Sequence, residues 1–173
     1  MKIRHTLMIT LLLASINAHA DEKTVTINAI SEAGVGMSVG TITLSDSPKG
    51  LVVKPNLKGL PIGVHGFHIH DQGSCDSALK DGKMVAGLAA GGHFDPNKTG
   101  MHEGPDGMGH MGDLPALTIE SDGTSTASLL APHLKLADIL GHAVIIHENG
   151  DNYSDTPKPL GGGGGRIACG LVN

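Results

Sequence analysis

The chain has 173 residues, enough for one domain with a sizeable core. Its 12 basic and 17 acidic side chains give a formal net charge of −5, which argues against a nucleic-acid face or general attraction to anionic lipid. Aromatic residues are confined to Phe67, Phe94 and Tyr153, with no Trp, so base stacking and an aromatic sugar platform are equally disfavoured.

Residues 1–20 read as an export signal. Lys2 and Arg4 form a positive start, Leu7 to Ile16 are mostly apolar, and Ala18-His19-Ala20 has small residues at the positions a signal peptidase requires. The apolar run is too short to span a bilayer, and no later segment is long enough for membrane insertion. The expected mature domain is therefore 21–173, exported and, with Lys2 and Arg4 gone, carrying 10 basic against 17 acidic residues, a net charge of −7.

From residue 24 onward the pattern is all-β. Val25, Ile27 and Ala29 alternate with polar neighbours, as do Val35, Met37 and Val39. In "TITLS" the apolar positions become Ile42 and Leu44, a slip of one residue that predicts a β-bulge around Gly40. Further short runs follow: "GLVVKPNL", "VHGFHIH", "PALTIES", "STASLLAP", "HAVIIHE" and "RIACGLV". "SDSPKG" and "ESDGTS" read as hairpin connections, and "LKLADIL" (134–140) as a helical turn. Many short strands with Gly-rich turns predict a sandwich or barrel. Two stretches, 71–113 and 148–165, are long, polar and dense in Gly, His, Asp and Pro. Loops of that length are characteristically functional.

The chemistry begins in "GVHGFHIHDQG" (63–73). Read as a strand, His68 and His70 share one face, and His65, Phe67 and Ile69 take the other. Two unpaired imidazoles side by side cost free energy in a packed core, whereas a metal would use them. His93, His102, His110, Asp113 and His147 are further candidate ligands. Three histidines with one aspartate suit tetrahedral zinc, and four imidazoles suit Cu(II). Six histidines and one aspartate fill both sets only if one imidazole bridges the two ions, and spacing does not say which. Cys75 and Cys169, an even pair in an exported chain, read most simply as a disulfide, with two thiolate ligands as the alternative.

Together "GFHIH", "GGHFDP", "GHMGDLPAL" and "PLGGGGGRIACGLV" resemble copper,zinc superoxide dismutase, in its exported bacterial branch, in order from about Thr24 to Val172. The resemblance implies a Greek-key β-sandwich or flattened barrel with two long functional loops. It implies one copper ion on His68, His70, His93 and His147, and one zinc ion on His93, His102, His110 and Asp113, with His93 the bridge. It also implies a Cys75–Cys169 disulfide, Arg166 as the docking charge for superoxide, and Asp151 as the acceptor linking His68 to His102. The implied activity is dismutation of superoxide to oxygen and hydrogen peroxide by alternating Cu(II) and Cu(I), protecting the envelope from the periplasm, as a monomer or homodimer.

Other features are weighed from the residues alone. Lys80 and Lys83 in "KDGK" are either steering charges or a solvated pair. Met101, Met108 and Met111 fill gaps or offer soft ligands, and His133 and His142 match no metal position. Asp95 and Asp155 read as turn residues, His65 as structural or surface, and the run Gly161–Gly165 as flexible or closely approached backbone. An exported copper or zinc storage protein is the alternative function, and retention of His147 and Arg166 tells against it.

Overall fold

The computed structural model describes residues 22–173; the expected export signal, with its expected cleavage after Ala20, lies outside them. Twelve strands run in chain order: β1 (Glu22–Ser31), β2 (Gly34–Ser47), β3 (Gly50–Lys58), β4 (Gly63–His65), β5 (Phe67–His70), β6 (Ala78–Lys80), β7 (Lys83–Val85), β8 (Leu117–Ile119), β9 (Thr124–Ser125), β10 (Leu129–Ala131), β11 (Ala143–His147) and β12 (Arg166–Leu171). Among the described residues the helical content is three short 3₁₀ turns, one of them Leu136–Ile139 within the predicted helical turn. No helix there is long and apolar enough to cross a membrane.

The main sheet is antiparallel in the order β10-β3-β2-β1-β12-β11-β5, with β9 also on β3. Two small pairs, β4–β8 and β6–β7, complete the fold. First and last strands are thus neighbours, and the sheet curls around one apolar interior, as the all-β reading requires.

Strand alternation decides what enters that interior. Val25 and Ile27 of β1, Ile42 and Leu44 of β2, Leu51 and Val53 of β3, Phe67 and Ile69 of β5, and Val144 and Ile146 of β11 pack in one buried cluster. Each fully buried side chain of this kind is worth about 1.5–3 kcal/mol. The other face of β11 and β12 contributes Ala143, Ile145 and Cys169 to a second, smaller cluster. Ile145 pairs with His68, and Ala143 with His70, so both imidazoles lie on this outer face. The period of two that sends Phe67 and Ile69 inward therefore sends His68 and His70 outward, under the long loops.

Three local readings change. "VHGFHIH" is not one strand: β4 pairs with β8, β5 pairs with β11, and Gly66 separates them. His65 is buried at 2% exposure, its Nδ1 2.8 Å from the His147 carbonyl and its Nε2 2.8 Å from that of Pro61. "SDSPKG" is a hairpin between β2 and β3. "ESDGTS" makes a tight turn, but the strands it joins enter different sheets. Within 71–113, "KDGK" forms the hairpin β6–β7. Asp81 (φ 52°) and Gly82 (φ 79°) both adopt the left-handed region that a two-residue hairpin turn needs.

The bulge at Gly40 is present. Ile27 pairs with Gly40 and Asn28 with Ser38, leaving Val39 unopposed. Gly40 has φ 130°, and a β-carbon there would overlap the Asn56 carbonyl. Gly40→Ala is therefore expected to lose more than about 2 kcal/mol of stability. Urea unfolding checks this, and an unchanged midpoint would show that β2 can slide.

Candidate metal centre

Two strands and two loops build the site. His68 and His70 come from β5, and His147 from the end of β11 on the same face. His93, His102, His110 and Asp113 come from the segment between β7 and β8, and Asp151 from the loop after β11. The loop is stitched to β5 by backbone bonds, Ile69 N to Gly112 O at 2.8 Å and Phe94 N to Ile69 O at 2.9 Å. These place His93 opposite His70 and Asp113 opposite His68.

Donor atoms gather in two groups, each mutually within 4.8 Å: His68, His70, His93 and His147, and His68, His93, His102 and Asp113. Hydrogen bonds leave each imidazole with one nitrogen aimed into these groups. Asp151 receives the Nε2–H of His68 on Oδ2 (2.7 Å) and that of His102 on Oδ1 (2.8 Å), which leaves both Nδ1 lone pairs free. His70 Nδ1 donates to the Gly91 carbonyl at 3.0 Å, and His147 Nδ1 faces that of Gly164 at 3.4 Å. The remaining nitrogens, His70 Nε2 and His147 Nε2, then lie 3.3 Å apart as two acceptors. A cation held between them would satisfy both lone pairs.

The second group has the same character. His93 Nδ1 is 2.9 Å from Asp113 Oδ1, and His102 Nδ1 is 2.8 Å from Oδ2 without hydrogen-bond alignment. His110 lies slightly outside, its Nδ1 3.6 Å from Asp113 Oδ1. Among the described residues four buried side-chain nitrogens have no hydrogen-bond partner: Nδ1 of His68, His102 and His110, and Nε2 of His93. Orphaned buried acceptors of this kind are costly, and four converging on two points fit a pair of ions.

Electrostatics agree. Burial lowers His68, lowers His70 well below the ordinary histidine range, and takes His93 to about 4 and His147 to about 2. These imidazoles are neutral at pH 7, the form in which a histidine can ligate a metal. Burial also opposes charge on His102, but Asp113 and Asp151 outweigh it and push that group up to about 9. Burial likewise works against ionised Asp113 and Asp151, yet their histidine partners hold both well below the usual carboxylate range.

A cavity of about 270 Å³ opens on this centre, lined by His70, His93, His147, Gly163, Gly164 and Arg166. Arg166 reaches it through a bulge. Ile145 pairs with Cys169 and Ile146 with Ala168, but His147 pairs with Arg166, so Ile167 is extra. Regular alternation would have turned Arg166 to the core with Ala168; instead Ile167 packs there and Arg166 shares the face of His147. Its guanidinium donates to the carbonyls of Gly87 and Gly91, the latter at 2.6 Å. Cys75 and Cys169 form a disulfide with Cα atoms 5.7 Å apart, tying the same loop to β12.

Sequence reasoning missed several supports. Asp155 is more than a turn residue: it accepts from His102 N at 2.9 Å and Leu160 N at 3.1 Å, joining the two loops. Asp95, by contrast, does close its local turn at Gly100 N. Gly161 lies where a β-carbon would overlap Asp151 and approach His102 Nε2. His142 Nδ1 stands 3.1 Å from the His70 carbonyl. Lys80 and Lys83 are exposed and paired across the β6–β7 hairpin.

Fold and site define a class: an antiparallel β-barrel metalloprotein with two adjoining ion positions under two loops. The family described as copper/zinc superoxide dismutase matches residues 38–172. Superoxide dismutase [Cu-Zn] of Escherichia coli (strain K12) is 51% identical over 170 residues, covering 98% of each chain. The solved Cu/Zn superoxide dismutase from Brucella abortus superposes with a TM-score of 0.87 at 49% identity, covering 88% of this chain and 100% of that one. The monomeric copper, zinc superoxide dismutase from Salmonella enterica gives 0.80 at 51% identity, with coverage of 88% and 100%. The chain belongs to the copper/zinc superoxide dismutase family.

Two outcomes follow, the first for the ion-free chain. Between pH 6.5 and about 4 the unfolded chain takes up protons that the folded His93 refuses, and His68, His70 and His147 act in the same sense. Stability therefore falls as pH falls through this window. The His102 contribution is complete below pH 6.5 and is lost as pH rises towards 9. Melting of the chelated protein should thus peak near pH 6.5 and fall more steeply on the acid side, and a monotonic profile would contradict this. Gly161→Ala, by displacing Asp151, should weaken zinc retention about 10–100-fold, read by competition with a zinc chelator.

Proposed function

We propose that His68, His70, His93 and His147 hold copper, and that His93, His102, His110 and Asp113 hold zinc. The observation that carries this is His93: it belongs to both donor groups, with Nε2 unpartnered and Nδ1 facing Asp113. His68 also falls in both groups, but its Nε2 is spent on Asp151, so its one free nitrogen serves a single ion. His110, with a buried free Nδ1, supports the fourth zinc place.

The protein is a superoxide dismutase with copper and zinc as cofactors, converting superoxide to oxygen and hydrogen peroxide. Copper supplies the one-electron exchange by alternating Cu(II) and Cu(I), and zinc a fixed, redox-inert charge at the bridge. The chain's own residues do the rest. Arg166, held by two backbone carbonyls at the cavity wall, gives the small anion a fixed positive seat. His93 lines the same cavity, and its unpartnered Nε2 is the atom suited to taking up and returning a proton for peroxide formation. Asp151 keeps His68 and His102 in the tautomers that present Nδ1.

Lys80 and Lys83 are steering charges in this proposal. Like charges opposite each other weaken a hairpin, and their placement in an acidic chain supports a use in attracting anions. We also infer that residues 1–20 direct export and are cleaved after Ala20, leaving 21–173 as the single domain in the periplasm, where it protects the envelope. The bacterial relatives matched over 98% of their length support this. The relative described as monomeric supports a monomer here. Mass measurement of the periplasmic protein tests the cleavage site.

The deciding experiment is superoxide decay after pulse radiolysis, using copper- and zinc-loaded protein across ionic strength. Arg166→Ala should slow the reaction about tenfold or more, and an unchanged rate would overturn the docking role. Lys80→Ala with Lys83→Ala should cost a few-fold at low salt and flatten the salt dependence; parallel salt curves would remove the steering role.

A further inference from the structure

A second cavity, of about 150 Å³, adjoins the centre at His110 and is lined by Met108, Met111, His110, His133, Asn97 and Pro105, among others. It is too small for an organic ligand, whose sites run to about 300–1,000 Å³. It is ample for one ion with its ligands. No carboxylate lines it, so calcium, magnesium and manganese find none of the hard anionic oxygens they require. What it offers are two thioethers and an imidazole outside the proposed ligand set, a donor set that selects Cu(I).

The alternative use of methionine, filling an apolar gap, does not account for Met108. That side chain is 79% exposed and fills no core. Met111 packs partly against the main core while also lining the cavity, which fixes one thioether in place. His133 is exposed, on the short segment between β10 and the 3₁₀ turn. His110 forms the common wall: its ring lines this cavity while its Nδ1 faces Asp113 in the metal centre.

We propose that Met108, Met111 and His133 form a third metal site, which captures a single cuprous ion beside the catalytic centre and separate from it. It binds Cu(I) by thioether and imidazole coordination with no net charge from the protein. Its use is to hold copper arriving in the reduced state next to the centre that must be filled.

The test uses the full protein with copper and zinc already bound. Cu(I) is added anaerobically in competition with a chromophoric cuprous chelator, and the added ion is examined by X-ray absorption. The wild type should take up one further equivalent with sulfur scattering. The near-isosteric Met108→Leu, Met111→Leu double variant should weaken that uptake about tenfold or more, with sulfur scattering lost and dismutase rate and melting temperature unchanged. His133→Ala should weaken it while retaining the sulfur signal. No third equivalent, equal uptake by the double variant, or an added ion bound through nitrogen and oxygen alone would each overturn the proposal.

Discussion

The carboxylate of Asp151 is the constraint on which the centre depends. One group, buried and held ionised, accepts a proton-bearing nitrogen from His68 on one oxygen and from His102 on the other. It therefore fixes the tautomer of an imidazole in each donor group and couples a strand residue to a loop residue. Tyr153 N donates to the same carboxylate at 2.7 Å, so the loop that carries Asp151 is itself folded around it. Gly161 is absent a side chain because that space is already taken. Orientation of His68 and His102, closure of both loops and the glycine at 161 thus share one cause.

The sheet supplies the second level of order. β5 and β11 are buried on both faces, but with different partners: apolar interior on one side, imidazoles and the second cluster on the other. Rigid strands give His68, His70 and His147 their spacing without help from the loops. The loops then add His93, His102, His110 and Asp113, fastened by the backbone bonds at Ile69 and Phe94 and by the Cys75–Cys169 disulfide. The same segment ends its duties at Gly87 and Gly91, whose carbonyls hold Arg166. Gly91 also fixes His70. Arg166 and His70 are thereby positioned by one stretch of backbone.

Such a cluster is poor for stability by itself. Burying orphaned ring nitrogens works against folding, and bound ions convert them into coordinate bonds. Function here dictates a local arrangement that the apolar interior and the disulfide must sustain.

The sequence by itself determined the all-β class, the bulge at Gly40, the outward pairing of His68 and His70, and the identities of the clustered donors. Each is legible because strand periodicity is local and because imidazoles and carboxylates have few uses at such density. The distribution of those donors between two ions was not legible. It depends on which nitrogen each imidazole spends on Asp151, Gly91 or Gly164, groups distant in sequence. The loop-joining role of Asp155 and the burial of His65 likewise emerge only from long-range contacts, whereas the hairpin at Lys80 and Lys83 is local and rests on the Asp81-Gly82 turn. Arg166 shows the division most plainly. Its alternation with Ala168 points it to the core, and only the extra residue Ile167, accommodated by pairing with β11, turns the guanidinium into the cavity. Register between strands is a property of the folded sheet, and a single-residue shift in it reverses which face a side chain occupies.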